Sequence, residues 1–327
     1  GRSAIVHVYI GRCMLNSVFQ DPILMFRFNF AACLKVRQIG LALFFCNFLL
    51  TGSLVSGQRT MHIYMDPDPF ATTNNTILNF IPTFENFLNR ELGKLSGKNL
   101  TFKLHHYDGS TPIDELVSNG MIDFFYGAPQ TVACLQATYF ANPLVTARKK
   151  LPTGGTIDGY GGAIVASASN QRINTLRDIK DAVIGIQLQS GWASSILQQG
   201  LLIRNGISIF RDAKQIISGD LSRDYTQLQI LRDIHAGLLD LGFIRADNLY
   251  IMEARNQTRR SYFKIIAEAP GTLIPGTADP YPFPITTALY PEWGLVAFPS
   301  VGRALKWDVL TALLGIDPAS PPPTAGN

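Results

Sequence analysis

The chain has 327 residues, of which 46% are hydrophobic and 16% charged, with 28 glycines and 19 prolines. This composition is that of a globular protein and excludes disordered, collagen-like and coiled-coil classes. The net charge of +4 arises in the first 57 residues, which hold five of the 28 basic residues and one of the 24 acidic residues. The rest of the chain is formally neutral, which argues against a nucleic-acid partner.

The first segment has the pattern of an export signal. Lys35 and Arg37 precede an apolar run, Ile39–Leu50, and a stretch of small residues. This order is typical of a secretory signal peptide. We expect residues 1–57 to be a leader with a signal peptide at about 35–57, and a signal anchor is the alternative. The protein is then secreted, periplasmic or on the extracellular face of a membrane.

Three Asn-x-Thr triplets mark candidate glycosylation sites, at Asn74, Asn99 and Asn256. In an exported protein such sites are modified where they lie on the surface. We therefore expect these three asparagines to be exposed.

Strands and helices alternate along the first half of the remaining chain. The predicted elements are a strand at 60–65, a helix at 76–92, a strand at 99–107, a helix at 111–119 and a strand at 122–126. Apolar residues recur at helical spacing in the first helix and alternate in the second strand. This βαβαβ order predicts a mostly parallel sheet with helices on both faces.

A glycine-rich stretch, Thr153–Gly162, separates this unit from a second one of the same kind. The second set comprises strands at 163–166, 183–187, 239–244 and 262–266, and helices at 176–179, 190–200, 225–236 and 246–254; a last helix is at about 303–314. Two such units joined by a crossover predict two lobes. We expect lobe 1 to comprise residues 58–155 and 250–315, lobe 2 residues 156–249, and residues 316–327 a proline-rich tail or linker.

The sequence contains none of the common catalytic motifs. It lacks a G-x-S-x-G elbow, H-E-x-x-H, a G-x-x-x-x-G-K-[ST] phosphate loop and C-x-x-C. His105 and His106 are neighbours on a predicted strand, so their side chains point to opposite faces and do not easily chelate one metal. We expect no catalytic residue, no metal and no cofactor. An enzyme with dispersed acid–base groups is the less favoured alternative.

Ser190 and Gly191 are the first candidates for ligand contact, because they lie between a predicted strand and a predicted helix. Backbone N–H groups at a helix start favour an anion or a carboxylate, and Ser190 adds a hydroxyl donor. The alternative is that Ser190 only caps its helix. Trp192 either packs against a ligand or fills the core.

Further candidates lie near other predicted strand ends, in a loop or at the crossover. They are Tyr126, Gln130, Tyr160, Arg223, Asp224 and Arg245. Ligands of open α/β sheets bind beyond the carboxyl ends of the strands. An arginine there can hold an oxyanion through two parallel hydrogen bonds. For each candidate the alternative is an ordinary structural residue or a solvated charge.

Several segments together resemble a known family. Ile122–Pro129, Tyr160–Val165, Leu176–Ile186, Ser190-Gly191 and Gly237–Phe243 resemble phosphonate-binding periplasmic proteins. Gly242–Asp247, followed by Thr287–Trp293, is similar to the sensor domains of tetrathionate-sensing-type histidine kinases. The resemblance spans about residues 58–314. It implies an α/β type 2 periplasmic-binding-protein fold, with two lobes of mostly parallel sheet joined by crossover strands and closing on a small solute.

The resemblance also implies a site and a function. By this resemblance, the ligand-binding site comprises Tyr126, Tyr160, Ser190, Gly191 and the loop at Arg223 and Asp224. The family's Ser-Thr-Ser-Gly anion loop is here Gln187-Leu-Gln-Ser-Gly191, with one hydroxyl; Gln189 in this loop is a further candidate contact.

The implied function is that of an exported solute-binding or sensory domain. It closes on a small anionic or polar ligand and reports to a membrane receptor or to a kinase or cyclase module. The alternative is the substrate-binding component of an ABC-type importer, which hands phosphonate-like or other oxyanions to a permease.

Overall fold

The computed structural model describes residues 59–66, 74–95, 100–151, 155–219, 225–269, 272–273 and 280–316. The predicted leader and the predicted tail beyond residue 316 lie outside these residues. None of the helices described is long and apolar enough to cross a membrane.

The first sheet has five strands in the order β2-β1-β3-β14-β4. They are β1 (Arg59–Met65), β2 (Leu100–His106), β3 (Phe124–Gly127), β4 (Asn142–Thr146) and β14 (Gly294–Ala297). Strands β2, β1 and β3 are parallel, whereas β14 runs antiparallel to β3 and β4. The helices of this part are α1 (Asn74–Leu95), α2 (Ile113–Ser118), α3 (Pro129–Tyr139) and α8 (Arg303–Leu314).

Helix α1 protects the open edge of this sheet as well as its face. Leu88 and Leu92 pack into the core under the sheet. Asn89 exchanges two hydrogen bonds with the backbone of Phe102, at 3.0 and 2.6 Å. Glu85 accepts a third bond from the backbone N–H of Leu104, at 2.9 Å. Three outer backbone groups of edge strand β2, two at Phe102 and one at Leu104, are thereby hydrogen-bonded.

The second sheet also has five strands, in the order β10-β9-β11-β8-β12. They are β8 (Gly162–Ser167), β9 (Val183–Ile186), β10 (Gln215–Ser218), β11 (Leu241–Arg245) and β12 (Phe263–Ile265). Its α-helices are α4 (Leu197–Arg204), α5 (Ile209–Asp212), α6 (Gln227–His235) and α7 (Asn248–Ala254). A π-helical turn (Trp192–Ile196) leads directly into α4. Two 3₁₀ turns complete this part, Leu176–Ile179 and Arg260–Tyr262. Its central strands are buried on both faces, as expected for a sheet covered on two sides.

The chain leaves the second sheet later than the sequence led us to expect. Strand β12 pairs antiparallel with β8, so residues 263–265 belong to the second sheet and not to lobe 1. A short edge strand carries too little pattern to reveal which sheet it joins. The second lobe therefore continues well past residue 250, since Tyr281, Phe283 and Ile285 also pack into its core and Thr286 and Thr287 hydrogen-bond to β8.

Two short antiparallel pairs lie on the connections between the sheets. Strand β7 (Gly159–Tyr160) pairs with β13 (Tyr290–Pro291), so the outgoing and returning chains are hydrogen-bonded to each other. Strands β5 (Lys149–Lys150) and β6 (Thr156–Ile157) pair within the outgoing connection. The predicted α/β class with two sheets and crossover strands is confirmed.

Candidate functional site

The start of the helix after β9 is the first part of the candidate site. Gly191 occupies the N-cap position of this helix. Among the residues that the structure describes, no side chain makes a capping hydrogen bond there. The first backbone bond of the turn runs from the N–H of Ile196 to the carbonyl of Gly191, at 2.9 Å. Because this π turn closes over five residues, the N–H groups of residues 192–195 precede the first closed bond. All four residues are buried, so only an acceptor placed directly against the helix start could reach these groups.

The sequence around this turn explains why it forms. A Cβ on Gly191 would lie 2.4 Å from the Ser194 Oγ and 3.2 Å from the Leu188 carbonyl oxygen, so only glycine fits. Gln189 and Ser190 precede it and are exposed. Ser190 is therefore beside the helix start and not its cap.

Gln198 fixes this helix against the sheet, and sequence reasoning missed it. Its side chain is fully buried, and its Nε2 donates to the carbonyls of Ala193, Ile244 and Ala163 at 2.7, 3.0 and 3.4 Å. A Cβ on Gly162 would lie 2.4 Å from that Nε2. Its one sequence signal is a glutamine within an apolar helix.

The first lobe contributes the ends of β1 and β3. Tyr126 is half-buried, with its ring centroid 5.7 Å from that of Trp293. Gln130 lies in the first turn of α3, and its Oε1 is buried without a hydrogen-bond partner in the described chain. Asp66 follows β1 and accepts hydrogen bonds from the backbone N–H of Ala128, at 3.4 Å, and from the side chain of Thr131.

Asp66 was not a predicted site residue, and its carboxyl group is unusual. Burial raises its pKa from 3.8 to about 6, although the bonds from Thr131 and Ala128 act in the opposite direction. The helix start of α3 therefore already holds an acidic group. This end of the first lobe disfavours an anion whenever Asp66 is ionised.

A buried ionic cluster joins the second sheet to the returning chain. Arg245, at the end of β11, is 2% exposed. Its Nε and Nη2 donate to Asp247 at 2.6 and 3.0 Å, and both Nη atoms donate to Glu292, Nη1 at 3.3 Å. Its guanidinium carbon lies 4.0 Å from the ring centroid of Tyr160. The Nζ of Lys149 lies 3.1 Å from Asp247. We call these five residues the hinge cluster.

The charges of the hinge cluster balance, with two cations against two carboxylates. Burial acts to raise the pKa of Asp247, but Arg245 and Lys149 hold it below its ordinary value. Burial raises the pKa of Glu292, and Arg245 offsets this only in part. Arg245 was a candidate clamp for a ligand oxyanion. The structure places its guanidinium donors on the protein's own carboxylates instead.

A chain of glutamine side chains links the hinge cluster to the candidate anion loop. Gln227 is buried and accepts a hydrogen bond from the backbone N–H of Arg245 at 2.9 Å. Its Nε2 donates to the Oε1 of Gln187, also at 2.9 Å. Gln187 is the first residue of the loop that ends at Gly191. The loop and the hinge cluster therefore share hydrogen bonds.

The structure brings some of the predicted residues together and not others. Tyr160 pairs with Tyr290 on the crossover strands, and the ring centroid of Tyr290 lies 5.2 Å from that of Trp192. Tyr160, Trp192 and Tyr290 thus surround one region next to Arg245. Arg223 and Asp224 lie outside the described residues.

The structure describes the side chain of only one of the three candidate glycosylation sites. Asn256 is exposed in the turn after α7. Asn99 and the side chain of Asn74 lie outside what the structure describes. Exposure of Asn256 is consistent with the expected surface position and does not test modification.

The described residues contain no group of three or more histidine, cysteine, aspartate or glutamate side chains arranged to hold a metal ion. His105 instead contacts His62 on the neighbouring strand, with Nε2 and Nδ1 2.9 Å apart. Burial lowers the pKa of His105, and His62 adds to that effect. This pair is a hydrogen bond between half-buried imidazoles.

A family model described as ABC transporter, phosphonate, periplasmic substrate-binding protein matches residues 77–324. The chain belongs to this family. The match covers the second sheet, the first sheet apart from β1, the hinge cluster and the helix start at Gly191. The family suggested by the sequence resemblance is thus confirmed. No curated protein shows significant sequence similarity to the chain.

The solved structures of XAC2383 share the fold of this chain. XAC2383 from Xanthomonas citri bound to ATP has a TM-score of 0.54 and 12% identity, over 78% of this chain and 82% of that one. The same protein bound to chloride ion has a TM-score of 0.54 and 13% identity, over 79% and 85%. PhnD1 from Prochlorococcus marinus with methylphosphonate has a TM-score of 0.47 and 13% identity, over 80% and 86%. A histidine kinase sensor domain similar to periplasmic binding proteins has a TM-score of 0.40 and 13% identity, over 79% and 90%.

Removal of Arg245 should destabilise the protein strongly. Arg245→Met leaves the buried Glu292 without its cation and Asp247 with Lys149 alone, so we expect a loss of about 3–5 kcal/mol in the free energy of unfolding. Arg211→Met is the control, because Arg211 pairs with Asp212 on the surface, and it should change stability little. Denaturant unfolding measures both.

A combined variant distinguishes instability caused by unpaired buried charge from general misfolding. Adding Glu292→Gln to Arg245→Met should recover much of the lost stability, because the remaining charges, on Lys149 and Asp247, still balance. A double variant as unstable as the single one would contradict the assignment.

Asp66 should make stability depend on pH in a definite direction. Because the pKa of Asp66 is higher in the folded protein, its contribution is complete below pH 3.8 and is lost as the pH rises through 6. Asp66→Asn should therefore be more stable than the parent above pH 6, by roughly 1–3 kcal/mol, and lose that advantage below about pH 4.

Asp212→Asn is the control of opposite sign. Arg211 lowers the pKa of Asp212 to about 2, so this carboxylate stabilises the fold above pH 3.8. Unfolding measured across the pH range should show opposite slopes for the two variants. A constant difference between Asp66→Asn and the parent at every pH would refute the raised pKa.

Proposed function

We propose that the protein is an exported solute-binding protein whose lobes close on a small anionic or polar solute. One observation carries this proposal: the uncapped helix start at Gly191, beside Ser190, follows a strand end of the second sheet. Four backbone N–H groups and a hydroxyl provide donors for an oxyanion or a carboxylate. Membership of a periplasmic substrate-binding family supports the same role and a periplasmic or extracellular location.

The first lobe limits the charge of the solute. With a pKa of about 6, Asp66 is mostly ionised at neutral pH, so a second anionic group next to α3 would be repelled. We therefore expect a ligand with a single anionic group directed to Gly191. The part that faces the first lobe is neutral or positively charged, and it contacts Tyr126 and Gln130.

We propose that closure is read by a membrane partner rather than followed by catalysis. The family description supports an ABC permease as that partner. A kinase or cyclase module is supported by the two segments that resemble sensor domains, since these contain Arg245, Asp247 and Glu292 of the hinge cluster. In either case the hinge cluster stays paired while the lobes move around it.

Substitution of Ser190 should separate binding from folding. Ser190→Asp puts a negative charge beside the helix start, so anion affinity should fall by at least about tenfold. The same charge stabilises the helix, so thermal stability should be equal or higher. Ser190→Asn, which has nearly the same size without the charge, should retain most of the affinity.

The measurement is a thermal-shift and calorimetric screen of the protein against phosphonates, phosphate, sulfur oxyanions, carboxylates and amino acids. A ligand at one hundred times its Kd stabilises the folded protein by about 2.7 kcal/mol. Equal affinity of a hit for the parent and for Ser190→Asp would remove Gly191 from the site. A flat response to the whole panel would contradict the solute-binding function.

A further inference from the structure

A cavity of about 60 Å³ lies between the returning chain and the helix formed by the π-helical turn and α4. On the helix side it is lined by Trp192, Ile196, Gly200 and Arg204, and on the other side chiefly by Thr287 and Tyr290. The four helix residues are spaced by four and so share one face of the helix. We call this space the helix-side cavity. It runs away from the helix start along the flank of the helix.

A buried donor without an acceptor borders this cavity. Trp192 is 9% exposed, and its indole Nε1 is buried with no hydrogen-bond partner in the described chain. Buried polar groups in native proteins nearly always have a partner, so an unpaired indole N–H calls for an acceptor. Trp192 is also one of the residues that line the helix-side cavity.

The charge of the lining indicates the kind of acceptor. Arg204 is exposed at the end of α4, and within the described part of the chain no carboxylate is placed in an ion pair with it. No acidic side chain lines the cavity, and Ile196, Leu197 and Ala288 give it apolar walls. A guanidinium and an indole N–H with apolar walls suit a small anion with an apolar body. The volume limits the occupant to a few heavy atoms.

We propose that the helix-side cavity is a second ligand site, which binds a short-chain carboxylate separately from the solute held at Gly191. The carboxylate accepts hydrogen bonds from the Trp192 indole and from Arg204, and its alkyl group lies against Ile196 and Ala288. Such an occupant touches both the helix of the second lobe and the chain returning from it.

The test follows the indole N–H resonances by NMR while propionate is added to the protein. The chain has three tryptophans, and the spectrum of Trp192→Phe assigns the resonance of Trp192. We expect propionate to shift this resonance with a Kd of about 1 mM. Arg204→Gln should weaken binding about tenfold, because it removes a charge-assisted hydrogen bond. Arg211→Gln, an exposed arginine of the same lobe, should leave it unchanged.

Three results would overturn the proposal. They are the absence of a Trp192 shift with propionate, an unchanged Kd in Arg204→Gln, and loss of the shift in Ser190→Asp. The last result would place propionate at Gly191, whereas a separate site keeps its affinity in that variant. In the anion screen Ser190→Asp is expected to lose affinity, whereas in the propionate titration it is expected to keep it. Failure of this proposal is therefore distinguishable from failure of the proposed function.

Discussion

Arg245 lies almost wholly out of water between Asp247 and Glu292, with Tyr160 on its face, and the relation between the two sheets depends on this arrangement. A buried ion is costly unless it is paired and hydrogen-bonded. Here four of the guanidinium's hydrogen bonds go to two carboxylates, and Lys149 balances the remaining charge. The groups come from three distant parts of the chain: the outgoing connection, the end of β11 and the returning connection. Their pairing fixes where these parts meet.

The candidate solute site is tied to this cluster by short hydrogen-bonded routes. Gln227 joins Arg245 to Gln187 in the loop before Gly191. Gln198 joins the helix that starts beyond Gly191 to Ile244, the residue before Arg245. A solute that orders the helix start therefore acts on groups one hydrogen bond away from the hinge cluster. This is a physical route from binding to lobe movement, as a solute-binding protein requires.

Much of the fold was predictable from the sequence, and so was the position of several candidate residues after strand ends. The alternation of strands and helices, the two units and the crossover all appear, and Ser190-Gly191 does lie between β9 and a helix. The boundary at residue 250 was wrong, because the three-residue strand β12 shows its sheet only through its pairing with β8. The pairing of Arg245 with Glu292 could not be predicted, because Glu292 lies 47 residues further along the chain. The raised pKa of Asp66 likewise depends on packing around α3.

The central claim is that the lobes close about the hinge cluster when a small anion binds at Gly191. Small-angle X-ray scattering of the protein, with saturating methylphosphonate, phosphate, sulfate or acetate added in turn, tests it most directly. We predict that the anion that binds lowers the radius of gyration of the parent and leaves that of Ser190→Asp unchanged. An anion shown by calorimetry to bind without lowering the radius of gyration would contradict the claim, as would the absence of binding by all four.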